Sequence, residues 1–265
     1  IIFHQVLSRF LSPSGAALLT FFLVFTPEMF AHASLSLTNL PGAAFVCGGS
    51  LFLYLWWKEE KSSHLIISGL MFGLNVWTRS DGIVFSVAAV FIMFLITIRK
   101  KMYLPLIFHG LLSVLPFIVW QVYLKIVIHA ASIERFRTYL FWDEERFSYM
   151  VKTIYLLVTS TNLYGLSFYI FAIALIANIR YLKSNWPLLA TILFSFLLYT
   201  FMFYQIDPET QDSIQTMMTA SYKRGLFYFI PMILFYSGIT PLSRKLFAVL
   251  DREYNRFVYG ESSPS

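Results

Sequence analysis

The run GIVFSVAAVFIMFLITI, residues 82–98, contains no Asp, Glu, Lys or Arg; Asp81 precedes it and Arg99-Lys100-Lys101 follow it. A helix rises about 1.5 Å per residue, so a run of this kind covers most of the roughly 30 Å hydrocarbon core of a bilayer. Seven further stretches have the same character: 10–27, 40–57, 65–78, 102–124, 153–179, 184–206 and 225–243. The expectation is an all-α polytopic membrane protein of about eight transmembrane helices with short loops. Residues 1–265 then form a single transmembrane domain. The stretch 65–78 is short for a span, and 10–27 begins with the breaking sequence Ser12-Pro13-Ser14-Gly15.

Composition agrees. Of the 265 residues, 58% are hydrophobic and only 13% charged, with a mean hydropathy of +0.67. A soluble domain cannot coat that much apolar surface with so few charges. The net charge of +6 does not require nucleic acid, because membrane chains concentrate Lys and Arg in cytoplasmic loops. Cys47 is the only cysteine, so an internal disulfide is impossible, and no His/Cys pattern suggests a metal cluster. The chain opens on Ile1 rather than Met, and residues 1–10 are too short and polar for a signal peptide. A further span upstream is therefore expected.

The charges divide by side. Arg9, Lys58, Lys61, residues 99–101, Arg180, Lys183, Arg244, Lys245, Arg252 and Arg256 fall on one side, twelve cations against eight on the other. The richer side is expected to be cytoplasmic. Nine of the fourteen acids lie opposite, Glu28 and Asp81 among them. The segment 132–147 alternates apolar and charged residues at helical spacing, as an interfacial helix would.

Three clusters at helix ends could carry chemistry. Glu28 and His32 are four residues apart, with Asn39 seven further on, so one helical face would hold all three. A carboxylate beside an imidazole can move protons; the plainer reading is that Glu28 and His32 pair structurally while Asn39 caps the helix carrying Pro41. In Trp77-Thr78-Arg79-Ser80-Asp81-Gly82, Arg79 would close one helix and Ser80 or Asp81 cap the next, or Arg79 would grip a phosphate. In Ser221-Tyr222-Lys223-Arg224-Gly225, two cations placed at a helix N-terminus would oppose its dipole and be relieved by a bound anion.

Taken in order, several motifs together resemble the GT-C superfamily of multi-spanning glycosyltransferases. They are Thr26-Pro27 with His32, Thr38-Asn39-Leu40-Pro41, the Gly-rich 69–73 leading to Trp77-Thr78-Arg79-Ser80-Asp81-Gly82, and Lys223-Arg224-Gly225-Leu226 with Pro231. The relatives include the dolichyl-phosphate-mannose–protein mannosyltransferases and the aminoarabinose transferases of lipid A. Many relatives carry Asp-Leu-Pro where this chain has Asn39-Leu40-Pro41, and Pro is common where Ser80 stands. Their usual catalytic carboxylate lies in a loop after the first span, upstream of Phe10 here.

The resemblance implies transfer of a sugar from a polyprenyl-phosphate donor to an acceptor glycan, lipid or protein on the non-cytoplasmic side. It assigns Glu28, His32 and Asp81 as catalytic candidates, and Asn39, Arg79, Lys223 and Arg224 as substrate-binding candidates. No cofactor is expected in this chain, and a divalent cation is left open. The setting would be a bacterial inner membrane or the endoplasmic reticulum. The alternative is a non-catalytic transporter or flippase for polyprenyl phosphate. Inverted repeats and Gly/Pro-broken helices in matching halves would mark it, and neither is evident.

Overall fold

The computed structural model describes residues 1–33, 39–129, 140–206 and 213–259, and among these every regular element is helical. Helix α1 (Ile2–Leu7) leads into α2 (Pro13–Val24), where the Ser12 side chain accepts the Gly15 N–H at 3.4 Å and Pro13 occupies the first turn. That placement turns an apparent breaker into a helix start. Thr26-Pro27 then ends α2, and α3 (Pro27–Ala33) departs at 68°. Next come α4 (Asn39–Glu59), α5 (Ser62–Thr78), a 3-10 turn (Ser80–Gly82) running into α6 (Ile83–Lys100), and α7 (Tyr103–Ile126). Glu60 and Lys101 take positive φ at the two tight reversals after α4 and α6.

The second half holds α8 (Glu144–Val158), capped by the Asp143 side chain on the Arg146 N–H at 3.0 Å, then short α9 (Thr161–Tyr164) and α10 (Ser167–Ala177). A 3-10 stretch (Ile179–Asn185) feeds α11 (Trp186–Gln205). Short α12 (Ser213–Thr216), a π-helical turn (Met217–Tyr222) and α13 (Lys223–Leu226) precede α14 (Phe229–Ile239) and α15 (Pro241–Tyr259).

Four helical stretches are long and apolar enough to cross a bilayer: Asn39–Glu59, Ser80–Lys100, Tyr103–Ile126 and Ile179–Gln205. Two bent pairs, α2 with α3 and α14 with α15, would raise the number to six if each formed one span. Among the described residues, length and composition single out four to six spans, so the expected eight are not confirmed. The stretch 65–78 does fold as α5, but at 17 residues it is short. The stretch 153–179 is broken, because α8 stops at Val158 and Gly165 adopts φ +57 between α9 and α10. A side chain there would be strained, which makes glycine the natural break point. Of the expected interfacial segment 132–147, residues 130–139 lie outside the described residues. From Leu140 the chain is non-helical until Asp143, with Leu140 and Trp142 exposed.

Helix α14 is the centre of the bundle. Every residue from Phe229 to Ile239 is buried, and α1, α2, α4, α10 and α11 pack around it. Helix α7 is the opposite case, packing on α5 and α6 while Leu104, Ile107, Leu111, Leu115 and Ile118 stay bare. An apolar helix bare on one face fits hydrocarbon solvent. Its inner face carries His109, whose Nε2 lies 3.1 Å from the Ser68 hydroxyl and whose Nδ1 lies 3.3 Å from that of Ser113.

The charges separate to the two ends of the bundle as their sequence positions suggest. At one end Glu59 meets Arg9 (3.2 Å), Lys61 (2.7 Å) and His64 (3.2 Å), Glu60 pairs with Lys100, and Lys58 donates to the Ser184 carbonyl. Glu28, His32, Asn39, Arg79, Asp81 and Lys223 form contacts of their own, none of them with that group.

Candidate functional site

Helix α3 sets Glu28 and His32 one turn apart. The Glu28 Oε2 atom lies 3.2 Å from His32 Nε2, and its Oε1 lies 3.2 Å from Lys223 Nζ on α13. Glu28 is therefore held from both sides, by an imidazole of its own helix and an ammonium from far along the chain. Both carboxyl and imidazole are largely buried. The His32 ring rests against Phe227 at 5.1 Å between centroids, and its Nδ1 has no hydrogen-bond partner among the described residues. The structural pairing of Glu28 with His32 is thus what forms, and Lys223 joins it.

Lys223 and Arg224 do not stand at a helix N-terminus. Among the described residues a helical path runs from Ser213 through the π-helical turn Met217–Tyr222 into α13, so the backbone N–H groups around Lys223 are not free ends. The dipole argument for an anion there falls. What replaces it is a concavity of about 460 Å³ lined by Glu28, Ala31, His32, Thr219, Ala220, Lys223 and Arg224. Arg224 uses its Nε to donate to the Ala220 carbonyl at 2.8 Å, while no protein acceptor is recorded for its two terminal nitrogens among the described residues. The small side chains Ala31 and Ala220 leave room between carboxylate and guanidinium.

Two buried tyrosines adjoin Lys223 outside the recess lining. The Tyr164 hydroxyl donates to the Lys223 carbonyl at 2.6 Å, fixing α13 against α9. Tyr222 and Thr200 share a hydroxyl contact of 2.7 Å. Desolvation pushes both phenols above their ordinary pKa, so each remains neutral.

Asn39, Arg79 and Asp81 form a second cluster. After α5 the backbone turns extended at Arg79 (φ −157, ψ 138), which aims the guanidinium back at Asp81. Nε and one terminal nitrogen donate to the two Asp81 oxygens, each at 2.9 Å, and the other terminal nitrogen donates to Asn39 Oδ1 at 2.7 Å. Burial works against the Arg79 cation, but the bonded Asp81 carboxylate outweighs it and raises the pKa above the ordinary arginine value. Tyr199 adds a hydrogen bond to Asp81 at 3.3 Å. Asp81 therefore caps no helix, and Asn39, expected as a cap, instead accepts from Arg79. Glu28 and His32 lie on α3 and Asn39 on α4, and residues 34–38 between them lie outside the described residues.

Tyr199 links the two clusters. Its hydroxyl reaches Asp81, and its ring end presses on Gly225, where a Cβ would overlap the phenol. Gly225 follows Arg224 directly, so glycine is what lets α13 approach α11 this closely. No motif marked Tyr164, Tyr199 or Phe227 in the sequence, because their roles depend on contacts between distant segments. Tyr222 was adjacent to Lys223, but nothing there announced a π-helical turn.

The fold defines an all-helical polytopic membrane protein with clustered ionisable groups at one end. Residues 1–120 match the family model described as dolichyl-phosphate-mannose-protein mannosyltransferase, so that part of the chain is similar to this family of membrane glycosyltransferases. The matched part includes Glu28, His32, Asn39, Arg79 and Asp81, while Lys223 and Arg224 lie beyond it. No curated protein and no solved structure matches the chain.

Proposed function

We propose that the recess between α3 and α13 receives the phosphate and sugar of a polyprenyl-phosphate donor, and that the sugar passes to an acceptor hydroxyl on the non-cytoplasmic side. One observation carries the reading: Lys223 and Arg224 face the same concavity as a buried Glu28–His32 pair. Two cations there suit a phosphodiester, and guanidinium hydrogen bonds to phosphate are among the strong charge-assisted kind.

The chemistry follows from that placement. The acceptor oxygen bonds to the anomeric carbon as the bond from that carbon to the phosphate oxygen breaks, and polyprenyl phosphate leaves with the electron pair. Arg224 and Lys223 stabilise the charge that develops on the departing phosphate. The acceptor proton needs a base, and Glu28 is the carboxylate in the recess lining, with His32 holding its other oxygen. Asp81 suits this role less, because Arg79 grips both of its oxygens in one two-pronged pair, whereas Glu28 Oε1 is released when Lys223 turns from it to the donor phosphate. Arg79, Asp81 and Asn39 serve instead as the frame that keeps α4, α5 and α6 in register behind the site. A divalent cation has no obvious place: no group of three or more His, Cys, Asp or Glu is arranged to hold one among the described residues.

Donor binding by the purified chain is the direct test. Charge-assisted hydrogen bonds contribute about 1.5–3 kcal/mol each, so Lys223→Ala with Arg224→Ala should weaken polyprenyl-phosphate-sugar binding by about a hundredfold or more. Unchanged affinity in the double variant would overturn the assignment.

A further inference from the structure

We infer that α15 lies within the headgroup layer of the membrane and binds anionic phospholipid there. The inference does not depend on the glycosyltransfer reading. Helix α14 is enclosed by the bundle, and α15 leaves it at 72°. A helix turned that far from a spanning one runs closer to the membrane plane than across it.

The root of α15 is firmly set. The Leu242 N–H donates to Asn178 Oδ1 at 3.1 Å, the Thr240 hydroxyl donates to Ser243 at 3.0 Å, and Phe247 is buried where it covers Gly15 of α2. Phe247 thus faces the protein, whereas four other apolar residues of α15 do not. Leu242, Leu246, Val249 and Leu250 are 48%, 54%, 51% and 48% exposed. Their spacing of four, three and one places them in a single stripe.

Lys245, Arg252 and Arg256 form a second stripe along its edge, seven and four residues apart, all exposed; Glu253, the acid on this side of the helix, lies 4.0 Å from Arg256 and leaves the stripe net positive. Asp251 sits on the side away from the apolar stripe. Apolar and cationic stripes side by side match the order of a leaflet, acyl chains below and phosphates above. The sign of the charge selects anionic headgroups. The same end of the molecule carries Arg9, Lys58, Lys61 and Lys100. A protein partner for this face would need acidic groups beside an apolar ridge; the lipid surface supplies both together.

Nitroxide labels test this in the whole chain reconstituted into phosphatidylcholine vesicles with and without phosphatidylglycerol. Labels go on Leu246→Cys and Asp251→Cys in a Cys47→Ser background. The Leu246 label should collide with oxygen over an aqueous nickel chelate by about threefold relative to the Asp251 label, as expected for a helix half-sunk at the interface. Adding phosphatidylglycerol should deepen the Leu246 label, and Lys245→Gln, Arg252→Gln and Arg256→Gln together should remove that response. Equal nickel access at both positions would overturn the inference by placing α15 in water. Shielding of the Leu246 label from both reagents would overturn it in favour of a covering protein. A phosphatidylglycerol response that survives the triple change would overturn the recognition of anionic headgroups.

Discussion

Glu28 on α3 and Lys223 on α13 are joined by a 3.2 Å ion pair that closes the recess between them, with Arg224 alongside. A phosphate entering the recess must compete with Glu28 for the Lys223 ammonium. Replacing the carboxylate should therefore strengthen anion binding: Glu28→Gln is expected to tighten donor affinity by about tenfold, the worth of one modest charge-assisted contact. Titration of the purified variant checks this. In a Lys223→Ala background the gain should shrink, because the competition is through that one ammonium. A gain that persists undiminished would indicate general repulsion instead.

Arg79 satisfies Asp81 with two parallel hydrogen bonds and Asn39 with a third. Arg79→Ala leaves a mostly buried carboxylate without its cation, a loss of about 3 kcal/mol when a buried pair is broken from one side. Arg79→Lys keeps the charge but not the two-pronged geometry, and is expected to recover only part of it. Thermal unfolding in detergent micelles distinguishes the two. Equal melting temperatures for Arg79→Lys and the parent chain would show that the fork is dispensable.

Gly225→Ala sets a methyl group against the Tyr199 ring. Overpacking of this kind costs about 1–3 kcal/mol, and here it also displaces α13 with its two cations. Both stability and donor affinity should fall, and Tyr199→Leu should restore the stability by vacating the space. If Gly225→Ala alone melts like the parent, α11 and α13 are less closely packed than the structure has them.

The two ends of the bundle should face opposite compartments. Single cysteines at the exposed positions Ser62 and Gln215, in a Cys47→Ser background, should react with a membrane-impermeant maleimide from opposite sides, Ser62 from the cytoplasm. Labelling of both from one face would refute the charge-based orientation.

Much of the architecture was legible because bilayer solvent constrains composition so tightly. Residues 82–98 and 102–124 read directly as α6 and α7, and Arg9 and Lys61, assigned to one side by charge, do meet at Glu59. The same signal misled over 153–179, since hydropathy cannot register the positive φ of Gly165. Nor could composition reveal that Thr26-Pro27 bends one apolar stretch by 68°. Of the site, the Glu28–His32 pairing was local and could be read from a spacing of four. The Lys223–Glu28 and Tyr199–Asp81 contacts link α3 to α13 and the 3-10 turn before α6 to α11, and no local pattern encodes them.

The π-helical turn at Met217–Tyr222 carries one more residue than an α-helical path of the same contour would. Each residue of an α-helix advances the azimuth by about 100°. Deleting a single residue within that turn would keep α12 and α13 helical while swinging Lys223 and Arg224 to another face, away from Glu28. The turn therefore sets a phase. A one-residue deletion there should leave a folded bundle whose cations point the wrong way, separating the integrity of the helix from its aim.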